Sequence, residues 1–167
     1  RSAGRGQNTP EFRLRDTGFR LVRTANCQKG ECLITAGTFI MGSPSNELGR
    51  DSGETQHQVT ITRNFYMDQT EVTQGEWKAA GFGNPSSYLA CGDFCPVEQV
   101  NWWEALHYAN AKSQSAGLEQ CYEFTNCNAN AVGADKKCDS VAPSLDFNSD
   151  GSKNNADYLS CKGYRLP

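Results

Sequence analysis

His57-Gln-Val-Thr-Ile-Thr-Arg-Asn-Phe-Tyr-Met-Asp68 carries the strand signal from which the rest of the chain is read. Val59 and Ile61 alternate with Thr60 and Thr62, the period-2 pattern of a half-buried strand, and the run continues to Met67. Upstream, Cys32 to Met41 predicts a second strand, with Leu33, Ile34, Phe39, Ile40 and Met41 supplying apolar surface around a bend at Gly37. The polar, Gly- and Ser-rich stretch from Gly42 to Gln56 joins them as a loop. Further upstream, Arg1 to Pro10 reads as a loop. Thr17 to Thr24 reads as a short strand with Phe19, Leu21 and Arg23 alternating against Val22.

Downstream, two helix starts are marked. Thr73-Gln-Gly-Glu76 has the form in which hydroxyl and carboxylate satisfy each other's open backbone donors, and Asn101-Trp-Trp-Glu104 repeats it with Asn101 as cap. Trp102, Ala105, Leu106 and Ala109 then fall on one face, predicting a helix that packs on a sheet until Gly117 stops it. His107, one turn after Trp103, reads as a core or boundary residue. Beyond it, Tyr122-Glu-Phe124 and Tyr158-Leu-Ser160 read as the two strands of a hairpin around a polar insertion. From Asn126 to Asn155 that insertion holds few large apolar residues and needs braces to be ordered.

The chain has 167 residues, 37% of them hydrophobic, which suits one loop-rich domain. No apolar run reaches the ~18 residues of a membrane span. The net charge of −3 gives no general pull toward nucleic acid. Arginines 1, 5, 13, 15, 20 and 23 form a basic stretch that Glu11 and Asp16 interrupt, as on a solvated strand face.

Eight cysteines, an even number, point to four disulfides in an oxidising compartment: secreted, periplasmic or cell-surface. The alternative is a cytosolic metal site using Cys27/Cys32, Cys91/Cys95 or Cys121/Cys127 as ligand pairs, but the usual zinc spacing is absent. Closeness in sequence suggests Cys27–Cys32 and Cys91–Cys95. Of the three connectivities left, the expected hairpin favours Cys121–Cys161 with Cys127–Cys138 nested inside.

Within the insertion lies Asp146-Phe-Asn148-Ser-Asp150-Gly-Ser152-Lys-Asn154-Asn-Ala-Asp157. Oxygen side chains at positions 1, 3, 5 and 9, glycine at 6 and a carboxylate at 12 suit a hard cation wanting six to eight oxygens. Ser152 would offer its backbone carbonyl, and Asn154 a side-chain or water-bridged contact. The expected ion is a structural calcium on Asp146, Asn148, Asp150, Ser152, Asn154 and Asp157. Asp157 in place of the bidentate glutamate of regulatory loops resembles dockerin-type and other extracellular calcium loops. A flexible acidic turn is the competing reading.

Five segments, Gly37-Thr-Phe-Ile-Met-Gly-Ser43, His57 to Asp68, Glu71-Val-Thr-Gln-Gly-Glu-Trp77, Pro96-Val-Glu-Gln-Val-Asn-Trp-Trp103 and Gly163-Tyr-Arg-Leu-Pro167, resemble in order and spacing the formylglycine-generating enzyme family, the sulfatase-modifying factors. The resemblance implies an α+β, irregular, loop-rich C-type-lectin-like fold with short strands and two main helices, here as an incomplete domain. In the family, the segment like Gly163 to Pro167 leads into a helix reading Thr-Glu-Ala-Glu-Trp-Glu and then about half of the domain. Residues 1–24 resemble the C-terminal end of such a domain, and 27–167 its N-terminal part with an insertion at 121–161. A tandem junction, a circular permutation and a chain assembled from fragments all fit that order. The expected partner is therefore the missing half of the domain or another copy of the chain, joined through end strands.

The family activity is oxidation of a substrate cysteine to formylglycine with oxygen and copper, on a cysteine pair in the last third of the domain. By the resemblance, that pair would lie just before the position of Arg1. None of Cys27, Cys32, Cys91 or Cys95 matches it, so no catalytic residue is assigned and copper is implied only if the missing half carries the pair. Iron-dependent relatives on this fold need a histidine triad, and the chain has only His57 and His107. Gln7, Asn8 and Thr9 resemble a segment near the family's substrate groove. Glu47, Arg50 and Glu54 resemble loop-organising ion pairs. Two functions follow: a secreted domain of formylglycine-generating-enzyme type, or a non-catalytic extracellular structural or binding module on the same fold, held by disulfides and calcium.

Overall fold

The computed structural model describes the backbone of Val22–Arg23 and residues 30–167. Over these residues the chain is α+β, with seven short strands and three helices. The expected disulfide Cys27–Cys32 and the groove candidates Gln7, Asn8 and Thr9 lie outside the described residues, as does all of the end segment but Val22–Arg23.

Strands β1 (Val22–Arg23), β2 (Glu31–Ile34), β3 (Gly37–Met41), β4 (His57–Ile61) and β5 (Phe65–Asp68) make two sheets. β5 is central in the first, between β1 and β2, and β3 pairs with β4 in the second; all these pairings are antiparallel. The two long strands expected from sequence are thus each divided. Ile34 faces Phe65 and Gly37 faces Ile61, so residues 35 and 36 on one side oppose residues 62, 63 and 64 on the other. One surplus residue breaks the ladder as a bulge does and re-aims the ribbon. Asn64 secures the corner by accepting the Ala36 N–H at 2.7 Å. β1 extends the first sheet on the far side of β5, Val22 opposite Met67 and Arg23 opposite Tyr66. The second sheet stands away from the core, with Phe39, Ile40 and Met41 exposed.

The loop after β3 is tied through Ser43. Its hydroxyl donates to Glu54 at 2.9 Å, and the Arg50 Nε–H donates to its carbonyl at 3.1 Å. Arg50 and Glu54 thus organise the loop by way of Ser43, where a direct ion pair was expected.

Helices α1 (Gln74–Ala79) and α2 (Trp102–Ser115) begin at the two expected caps, each with its reciprocal box formed by Thr73/Glu76 and Asn101/Glu104. The buried face of α2 carries Trp103, Ala105, Leu106, Tyr108 and Ala109, whereas Trp102 is exposed. At the first helical position, Trp102 sits ahead of the turn that enters the core. Trp77 is fully buried and stacks on Tyr108 at 5.2 Å, while its indole N–H donates to the Gly83 carbonyl at 2.7 Å. Val72, Val97, Leu106, Tyr122 and Tyr164 complete this core with Cys121 and Cys161.

The expected hairpin partner of Tyr122-Glu-Phe124 is corrected. β6 (Tyr122–Thr125) pairs with β7 (Ser140–Pro143), and Tyr158 to Ser160 belong to α3 (Asn155–Ser160). The reason is a third capping box, Asn154 with Asp157, which starts a helix where alternation suggested a strand.

Candidate functional site

Three disulfides brace the described residues: Cys91–Cys95, Cys121–Cys161 and Cys127–Cys138. Cys121 and Cys161 are fully buried and fasten the start of β6 to the end of α3. Cys127–Cys138 closes the β6–β7 hairpin just beyond the Thr125–Ser140 pair. Disulfides of this density are consistent with an oxidising compartment. Cys32 is exposed and forms no disulfide with a described residue.

The loop from Asp146 to Asp157 forms one hydrogen-bonded circuit. Asp146 accepts the backbone N–H groups of Asp150 at 3.2 Å and Gly151 at 2.8 Å. Asp150 accepts the Ser152 N–H and hydroxyl on one oxygen and the amides of Asn148 and Asn154 on the other. Asp157, fully buried, accepts from the Asn148 N–H at 3.0 Å and the Asn154 N–H at 2.7 Å, so position 12 is folded back onto positions 3 and 9. Gly151 makes the sharp turn at φ +91°, a conformation that favours glycine. The hydroxyl and backbone N–H of Ser152, with the Asn148 and Asn154 amides, hold the Asp150 carboxyl below the usual carboxylate range.

These residues fit a hard cation in the chemistry of the donor set, which is all oxygen. They fit also in the chain path. α3 starts at position 10, so the carboxylate at position 12 sits on the first turn of a helix whose side chains lean back toward the loop.

A second cluster centres on His107, which leaves α2 to stack on Phe124 of β6 at 4.0 Å. Its Nε2 lies 3.7 Å from the sulfur of Cys138 and 4.0 Å from that of Cys127. Three soft donors are thereby gathered within 4.8 Å of one another. The two sulfurs are bonded to each other, which spends their capacity as thiolate ligands. His107 acts here as a boundary residue sealing the hairpin against α2.

Burial lowers the pKa of His107; Lys136 adds to that effect and Glu104 opposes it. An unfolded histidine takes its proton near pH 6.5. Below that pH the unfolded chain binds a proton that the folded chain resists, so this component of stability, present above about pH 6.5, is lost as pH falls. His107→Phe keeps the stacking and removes the titration. Urea midpoints at pH 7.5 and 5.5 should show a drop in the parent protein and a smaller drop in the variant; equal drops would contradict the assignment.

Glu104, read from sequence only as the partner of a cap, does more. Fully buried, it accepts the Asn101 N–H at 3.1 Å, and its other oxygen accepts the N–H groups of Gly133 at 2.9 Å and Lys136 at 3.1 Å. The insertion is thus anchored to α2 by one carboxylate.

The geometry defines a small disulfide-braced α+β domain with an insertion held against its main helix. A family model described as the sulfatase-modifying factor enzyme 1-like domain matches residues 24–167, and the chain belongs to that family. It is also similar to a protein named chaperone protein LppX from Paenibacillus barcinonensis, 37% identical over 71 residues. That similarity covers 42% of this chain and 24% of the relative, so the match spans about a quarter of the relative's length. No solved structure matches the chain. Among the described residues, no helix is long and apolar enough to cross a membrane.

Proposed function

We propose that this chain is a polypeptide-binding scaffold within a secreted, periplasmic or cell-surface domain of formylglycine-generating-enzyme type, with a C-type-lectin-like fold. The observation that carries this reading is the state of its sulfur: six cysteines of the described residues are closed in disulfides, at the core, at the hairpin end and across a surface turn. These serve bracing. Oxidation of a substrate cysteine, and copper with it, would draw on a cysteine pair contributed by the missing half of the domain or by another copy of the chain. The family's chemistry acts on a polypeptide, and the relative from Paenibacillus barcinonensis is named as a chaperone, so both resemblances share a polypeptide as the thing recognised. Gln7, Asn8 and Thr9 are groove candidates in this reading. Family membership supports the second reading, a domain that is itself catalytic once completed.

Aggregation of reduced lysozyme, followed by light scattering, tests the binding role. Suppression at stoichiometric protein, insensitive to added copper, is the expected result. Unchanged scattering at tenfold excess would overturn it.

Calcium is part of the same proposal. Asp146, Asn148, Asp150, Ser152, Asn154 and Asp157 would hold it, and it would supply structural cross-linking of the loop. Sites of this kind in extracellular modules bind with Kd of about 10⁻⁴–10⁻³ M. Saturation at a hundred times Kd would add ~2.7 kcal/mol of stability. Calcium should raise the melting temperature, and chelation should speed proteolysis between residues 126 and 155 while α2 stays protected. Cleavage that ignores chelation would count against the ion.

A further inference from the structure

His107, Cys127 and Cys138 bring one imidazole nitrogen and two sulfurs to the corner where α2 meets the β6–β7 hairpin. The distances from Nε2, 3.7 Å to the Cys138 sulfur and 4.0 Å to that of Cys127, are close to the roughly 3.6 Å that separates nitrogen from sulfur across a tetrahedral zinc with Zn–S of ~2.3 Å and Zn–N of ~2.0 Å. What prevents ligation is the bond between the sulfurs. The hairpin does not depend on that bond to keep the two cysteines together. On one side of them the Asp139 N–H donates to the Thr125 carbonyl at 3.1 Å, and on the other the Asn128 N–H donates to the Lys137 carbonyl at 2.8 Å. Glu104 pins the same loop to α2 through Gly133 and Lys136. His107 is fixed by its stack on Phe124 at 4.0 Å. Once the bond is opened, side-chain rotation alone parts the sulfurs while the imidazole stays in reach.

We propose that reduction of Cys127–Cys138 by a dithiol turns this corner into a zinc(II) site, with both cysteine sulfurs and the His107 Nε2 as ligands and the fourth position open. Two thiolates and a neutral imidazole are donors that a borderline-soft, tetrahedral ion takes. Cys127 is half-buried and Cys138 only 8% exposed, so the thiolate of the dithiol reaches Cys127 first. The Cys127–Cys138 bond breaks, Cys138 leaves as the thiolate beside His107, and the second sulfur of the dithiol then displaces Cys127 and closes a disulfide within the reductant. Two electrons pass from the dithiol to the cysteine pair. Zinc binding then releases to solvent the protons that the two sulfurs hold. The core bond Cys121–Cys161, fully buried, stays closed under the same treatment. The hairpin thus exchanges one cross-link for another, a disulfide when oxidised and a metal ion when reduced.

Cobalt(II), a zinc substitute whose thiolate complexes absorb in the near ultraviolet, tests this on the whole chain after phosphine reduction and removal of the reductant without oxygen. The reduced parent should take up cobalt with thiolate charge-transfer absorption, zinc should displace it, and the untreated protein should show no such band. Cys91→Ser/Cys95→Ser should keep the band, Cys127→Ser/Cys138→Ser should lose it, and His107→Phe should weaken cobalt binding at least tenfold. In the reduced parent, zinc should also slow alkylation of Cys127 and Cys138, located by peptide mass mapping. That measurement decides the question should the double serine variant fail to fold. Absence of the band from the reduced parent would overturn the proposal. So would a band that survives in Cys127→Ser/Cys138→Ser or is undiminished in His107→Phe, and so would alkylation that ignores zinc.

Discussion

Replacing both Cys121 and Cys161 by alanine is expected to cause the largest loss of stability of any change considered. The bond closes a loop of 40 residues in sequence separation, and both sulfurs are fully buried in the core beside Tyr122 and Leu106. Releasing a loop of that length into the unfolded ensemble costs about 4 kcal/mol by the chain-entropy account. For a domain of this size that lowers the melting temperature by roughly 10 °C. The effect should reach beyond the insertion, because Cys161 precedes the turn that seats Tyr164, whose backbone N–H donates to the Ser113 hydroxyl of α2 at 2.8 Å. Calorimetry of the double variant under non-reducing conditions checks it. A melting temperature within a degree or two of the parent would show that the bond constrains nothing the packing does not.

Glu104→Ala is expected to be nearly as damaging, by another route. The substitution removes the acceptor for three backbone donors, those of Asn101, Gly133 and Lys136. Each buried donor left without a partner costs about 1–3 kcal/mol, so a total near 3 kcal/mol or more is expected. Gly133 gives the loss a local signature. It lies at φ +88° with its backbone against the Gly83 carbonyl, leaving no room for the loop to shift toward the core and recover a bond. Hydrogen exchange at Gly133 and Lys136 should rise well before that of the Trp77–Tyr108 core. Glu104→Gln, which retains an acceptor oxygen, should be intermediate. Exchange that rises evenly across the domain would argue against Glu104 as a local anchor.

What the sequence showed and what it hid follow one physical line. Interactions between near neighbours were legible: the caps at Thr73 and Asn101, the loop geometry around Gly151, and the Cys91–Cys95 pair all follow from local spacing. Of the features set by distant partners, the Cys121–Cys161 bond was expected, though from a hairpin that the structure replaces; the others were not legible. The division of the ribbon depends on one surplus residue opposite Ala36, which alternation alone does not register. The strand that pairs with β6 lies in a polar insertion, Ser140–Pro143, where only Val141 and Ala142 hint at it. Asn154 and Asp157 were read as ligands, and the same spacing was a capping box that announced α3. The burial of Arg165 was passed over, because the exposure of a charge is visible only once its surroundings are folded.

Mass spectrometry of a client protein carrying reduced cysteines, after incubation with this chain, oxygen and copper, tests the central claim most directly. The account predicts that client co-purifies with the chain and that, once disulfides formed by copper and oxygen are reduced again, every client cysteine has its original mass. Conversion of a client cysteine to formylglycine by this chain alone would contradict it.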